Sequence, residues 1–142
     1  MEYDTTHWPL ALLVLPANMK ELDLEPLARS LERLFARRER FVSLTDASVV
    51  ASLPDAKGRS ALGAWTKSIE PLSKRWLVAN ALVVPSPIAR GVLTAIQWIA
   101  PPVVPTAACA SAEDACRHLA EHARREGLDA GALDRYLRAR RR

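Results

Sequence analysis

Hydrophobic and polar positions along the chain follow two alternating patterns: short continuous apolar runs, and longer segments with apolar residues at three- and four-residue steps. Trp8-Pro-Leu-Ala-Leu-Leu-Val-Leu15 is the first run, closed by Pro16, and its length and flanks predict a strand buried on both faces. Asp23 then stands as an N-cap, with Glu25 and Pro26 in the first turn of a helix where proline is tolerated. Leu24, Leu27, Leu31, Leu34 and Phe35 form its buried stripe, and Arg29, Arg33, Arg37 and Arg38 point elsewhere. Arg40 to Asp46 reads as a second strand. Asp55 caps the next helix, whose buried side is expected to carry Leu62, Trp65, Ile69 and Leu72, with Pro71 bending or ending it.

Trp76 to Val84 is the third strand. Ser86-Pro87 opens another helix, with proline in its first turn, predicted to run to Ala100 and to be stopped by Pro101-Pro102. Val103 to Ala108 is the fourth strand. Ser111-Ala-Glu-Asp114 starts a helix through about Glu126 with Ala115, Leu119 and Ala123 inward. Gly127 ends it, and Asp129 caps a last short helix bearing Leu133, Tyr136 and Leu137. Strands alternating with helices predict an α/β fold in a single domain. Its sheet should be four- or five-stranded and mostly parallel, with helices packed on it and right-handed crossovers.

Composition refines this picture in a few places. At 142 residues, 49% hydrophobic and 25% charged, the chain suits one ordinary globular domain. No apolar run reaches the roughly 18 residues of a membrane span, and Met1 to Pro9 lacks a signal-peptide layout. Cys109 and Cys116 do not make a disulfide framework, so a reducing, cytoplasmic setting is expected. The formal charge of +4 resides in the segment Asp134–Arg142, which has five arginines against one aspartate. Residues 1–127 are therefore taken as the domain and 128–142 as a short basic helix or tail. A solvated helix end explains such a cluster, and without interleaved aromatics nucleic acid is not the expected partner. Arginine outnumbers lysine sixteen to four, as a GC-rich bacterial genome would encode.

The stretch from Arg40 to Lys67 resembles the STAS/SEC14-like family, the anti-sigma-factor-antagonist-like modules. Phe41-Val-Ser-Leu-Thr-Asp46 stands where that family has a strand ending in aspartate, and Asp55-Ala56-Lys57-Gly58 where it has the turn opening the next helix. As a pattern of elements, the resemblance extends over residues 8–126. It implies a STAS-like fold and a regulatory, protein-binding role. Phosphoregulated members have an acceptor serine after the turn's aspartate. Ala56 has no hydroxyl, so Asp55 and Gly58 carry over as turn residues and the phosphoswitch does not.

Candidate chemistry is sparse. His118-Leu-Ala-Glu121-His122 matches H-x-x-E-H, which puts both histidines on one helical face. A catalytic zinc needs a third protein ligand and a sheltered open position, which the short polar segment after His122 does not promise. No glycine-rich phosphate loop or G-x-S-x-G elbow is present. Asp46 lies at a strand's carboxyl end, the edge where open α/β sheets bind ligands. Gly91 to Ala100 is apolar around most of its circumference, which fits either deep burial or an exposed apolar patch. The expectation is a non-enzymatic interaction module with no cofactor, no metal and no catalytic residues. Its partner would be another protein or a second copy, with lipid or an apolar small molecule as the alternative. The expected contact residues are Asp55 and Gly58 at the turn; Arg90, Leu93, Gln97 and Trp98 on the apolar helix; and Arg138, Arg140 and Arg141 in the basic segment.

Overall fold

The first apolar run becomes β1 (Leu10–Val14) of a computed structural model that describes residues 1–20, 22–91, 94 and 101–141. Then follow α1 (Leu24–Ala36), β2 (Phe41–Asp46), α2 (Ala56–Ser68), α3 (Glu70–Trp76) and β3 (Leu77–Val83). A helix entered at residue 87 (α4, described over 87–91) precedes β4 (Thr106–Cys109), α5 (Ala112–Arg125) and α6 (Gly131–Arg140). The expected α/β architecture of alternating units is what the chain adopts. Among the described residues, no helix is long and apolar enough to cross a membrane.

The four strands are parallel and lie in the order β1-β2-β3-β4. Leu10 stands opposite Val42, Asp46 opposite Val83, and Val83 opposite Cys109. Each strand adds to the same side of its predecessor. Right-handed crossovers put α1 and α2–α3 on one face, and α5 and α6 pack on the other.

The core divides accordingly. On the α5–α6 face, Leu10, Val42, Leu44, Ala79 and Ala81 meet Ala115, Cys116, Leu119 and Ala123 of α5 and Ala132, Leu133 and Tyr136 of α6. Alanines on both α5 and β3 keep this layer thin. Burying the side chains of Leu119 and Leu133 contributes about 1.5–3 kcal/mol each. Residues 128–141 thus join the same core as the rest of the chain. On the opposite face, Ala11 and Phe41 pack against Leu31, Leu34 and Phe35 of α1, with Trp8, Trp65, Ile69 and Trp76 half-buried around them.

Four helix starts follow the capping chemistry expected of them, while α6 has Ala130 rather than the expected Asp129 as its N-cap, Asp129 instead accepting from Gly131 N at 3.0 Å in the turn before it. Asp23 accepts from Glu25 N at 3.0 Å, Asp55 from Gly58 N at 2.8 Å, and Ser111 from Asp114 N at 3.2 Å. Ser86 accepts from Ala89 N at 3.3 Å. Gly127, at φ 74°, ends α5 in a Schellman motif: Leu128 N donates to Ala123 O at 2.8 Å and Gly127 N to Arg124 O at 3.3 Å. Arg38, just past α1, is also left-handed (φ 55°), a conformation that costs a side-chain-bearing residue roughly 1–2 kcal/mol.

Several local expectations differ from the structure; β4 begins at Thr106, not Val103, and extends to Cys109. Pro71 does not end α2; it sits in the first turn of a separate helix, α3, where its missing N–H costs nothing. Trp76 belongs to the last turn of α3, so β3 starts one residue later. α2 buries no side chain completely: Leu62 and Trp65 are half-buried, as is Ile69 beyond its end, while Leu72 in α3 is exposed. Most of the segment expected as a helix to Ala100, with Leu93, Gln97 and Trp98, lies outside the described residues.

Candidate functional site

The H-x-x-E-H segment lies on α5, with its glutamate paired to an arginine of the same helix. The His118 ring meets the His122 ring edge-on at 4.7 Å, and Glu121 pairs with Arg125 at 2.5 Å. His118 Nε2 is buried without a hydrogen-bond partner. Burial first, and His122 second, hold the His118 imidazole below its usual range; the nearby backbone of Pro105 and Asn80 and the Glu121 carboxylate offset this only in part. Among the described residues, no group of three or more His, Cys, Asp or Glu side chains could hold a metal ion. Both cysteines are free thiols. Burial pushes Cys116 up to about 12 and, with the nearby Asp114 carboxylate, raises Cys109 as well. A nucleophilic cysteine needs the opposite shift.

The parallel sheet gathers the loops that follow its strands along one carboxyl edge. There the loops after β1 and β2 are zipped together. Ala51 N and Ser52 N donate to Ala17 O at 2.7 and 3.0 Å, and Met19 N donates to Ser52 O at 2.9 Å. Asp46 at the end of β2 accepts from Ser48 N at 2.9 Å, closing a turn. In open α/β sheets a ligand crevice forms where the strand order reverses. The order β1-β2-β3-β4 has no reversal, so strand order by itself opens no crevice at this edge.

That edge carries apolar side chains. Val14 (54% exposed), Val49 (58%), Leu53 (71%) and Ile88 (82%) are four of the five large apolar residues exposed among the described ones. Val14 ends β1, Val49 and Leu53 lie in the loop after β2, and Ile88 is in the first turn of α4. The fifth, Leu72, is in α3.

The residues singled out from the sequence meet here in different roles. Asp55 and Gly58 form the cap and turn of α2. A Cβ at Gly58 would come within 3.1 Å of Pro54 Cβ, so the turn closes tightly against the preceding proline. Arg90 is not free to receive a partner: its Nη1 donates to Val84 O at 2.8 Å and Pro85 O at 2.7 Å, tying α4 to the exit of β3. α5 descends from the carboxyl edge and α6 returns towards it. The Arg140 guanidinium comes near the Tyr136 hydroxyl and Cys116, so exposed Arg138, Arg140 and Arg141 emerge at the same edge. Leu93, Gln97 and Trp98 lie outside the described residues.

The opposite, amino edge holds a feature that the linear reading missed. A groove of about 480 Å³ is lined by Trp8, Pro9, Arg38, Glu39, Arg40, Trp76 and Leu128. Beside it, a hollow of about 240 Å³ shares Arg40 and adds Lys74, Arg75, Val104, Pro105 and Glu126. The signal was present in the sequence: Trp8 precedes β1, Arg37-Arg38-Glu39-Arg40 precedes β2, and Lys74-Arg75-Trp76 precedes β3. Parallel strands bring such leading residues to one edge.

No family model, curated protein or solved structure matches the chain.

Proposed function

We propose that this chain is a non-catalytic interaction module that docks a partner protein through its carboxyl-edge loops. The observation that carries the reading is the gathering of Val14, Val49, Leu53 and Ile88 at that edge. Single exposed apolar residues are ordinary, whereas several on one edge mark a surface that another molecule covers. Arg138, Arg140 and Arg141 at the end of α6 flank this surface, which favours a partner with an acidic rim around an apolar contact. The loop and turn before α2 are the segment that resembles STAS domains, so kinship with that family, a regulatory role and a cytoplasmic setting belong to the same proposal. With Ala56 beside the cap, docking here proceeds without a phosphorylated turn. The raised thiols support a role without nucleophilic catalysis.

Affinity capture from extracts of the native cell tests the proposal, using wild type and the double variant Leu53→Asp/Ile88→Asp. Both positions are exposed, so the variant keeps its melting temperature. The expected result is a protein held by wild type, a second copy included, and lost by the variant. Equal capture by both would refute the assignment. The same apolar and basic combination suits an anionic lipid surface, the second reading. Sedimentation with phosphatidylglycerol vesicles, by wild type and not by the variant, would favour it over a protein partner.

A further inference from the structure

Beyond the carboxyl edge, the geometry points to a second, independent binding site: we propose that the amino-edge groove takes an acidic peptide segment of a partner protein, anchored by one apolar side chain. Arg38 and Arg40 line the groove with Glu39, Lys74 and Arg75 line the adjoining hollow with Glu126, and Arg37 lies over the Trp8 ring. Both carboxylates are already engaged. Glu39 lies 3.6 Å from Arg37, and Glu126 pairs with Arg40. Arg38 and Lys74 make no ion pair or side-chain hydrogen bond among the described residues, and Arg75 stacks over Trp76 at 5.0 Å. The groove and its adjoining hollow together therefore present uncompensated positive charge, from Arg38 in the one and Lys74 and Arg75 in the other, beside apolar walls, the complement of carboxylates flanking an apolar side chain.

The arrangement of the indoles selects among anionic ligands. The Arg37 guanidinium lies over the Trp8 ring, 3.9 Å from its centroid, and buried Phe41 packs against the same ring at a tilt, with centroids 5.4 Å apart. Arg75 takes a face of Trp76. Arg37 and Phe41 already occupy the Trp8 ring and Arg75 the Trp76 ring, so a nucleobase would have to compete for these surfaces, whereas single-stranded nucleic acid is held by stacking on free aromatic faces. What the groove offers is indole edges, the Pro9 ring and Leu128, which suit an aliphatic or proline side chain. Arg38 adds a specific device. Its left-handed backbone places an arginine where glycine would be relaxed, and its side chain lines the groove.

A phage-displayed heptapeptide library, panned on the full chain, tests this directly. The expected pool is rich in Asp and Glu around a central Leu, Ile or Pro. A fluorescein-labelled peptide from that pool should bind more weakly as salt rises. Arg38→Gly, which relaxes the backbone and keeps the fold, should weaken it at least fivefold. Leu53→Asp/Ile88→Asp should leave it unchanged, so failure here is distinguishable from failure at the carboxyl edge. Enrichment of no acidic pool would overturn the proposal, as would unaltered binding by Arg38→Gly. Displacement of the peptide by oligo-dT at equal concentration would assign the groove to nucleic acid instead.

Discussion

Ser43 Oγ donates to Asn80 Oδ1 at 2.7 Å, joining β2 to β3 beneath the helices of the crossover face. Ser43 is buried in the middle of its strand, and no apolar residue of α2 is fully buried above this layer. The pair satisfies two polar groups where water is scarce. Ser43→Ala removes the donor and leaves the Asn80 amide short of a partner, at an expected cost of about 1–3 kcal/mol. A urea titration checks this as a lower midpoint with an unchanged slope.

Gly127 holds the turn between α5 and α6. Nothing lies within 4 Å of a Cβ placed there, so Gly127→Ala is opposed by backbone conformation alone. The expected loss is roughly 1–2 kcal/mol. Because α6 places Leu133 and Tyr136 in the core, the thermal transition should shift as a whole rather than split.

Elements were legible in the sequence where one residue type has one local job. Asp23, Asp55 and Ser111 are caps, Gly127 is a left-handed stop, and the Ala115, Leu119 and Ala123 stripe is the buried face of α5. Pro71 misled because a proline suits both the end of one helix and the first turn of another, and only the geometry at Ile69 separates the two. The stripe expected on α2 misled for a different reason. Periodicity tells which side of a helix faces the sheet and not how closely it approaches. The candidate surfaces were partly legible. Asp55, Arg90 and the terminal arginines fall on one edge, yet Arg90 is spent on two carbonyls of its own fold, which no spacing reveals. The amino-edge groove depends on strand order, joining residues more than thirty positions apart.

Arg90→Ala should unfasten the start of α4. The carbonyls of Val84 and Pro85 return to water, so the global cost is modest, about 1 kcal/mol. The local consequence is larger: amide exchange at Ala89 and Arg90 should accelerate relative to that at Leu44 and Ala81 in the sheet. Equal protection at both places would remove Arg90 from this role.

His118 makes stability depend on pH. Its folded pKa is depressed by burial and by His122, so the unfolded chain binds the proton more readily. The stabilising contribution is complete above the unfolded value of about 6.5 and is lost as pH falls below it towards the depressed folded value. Urea midpoints measured from about pH 8 to pH 5 should decline for wild type and decline less for His118→Gln. Parallel curves would show that another group carries the dependence.

Photo-crosslinking tests the carboxyl-edge docking surface most directly. Benzoylphenylalanine is placed at position 53 or 88 in the edge surface, or at position 67 on the exposed side of α2, and irradiated in the native extract. Docking at this edge gives one common adduct from positions 53 and 88 and none from 67. An adduct from 67 with none from 53 and 88 would contradict it.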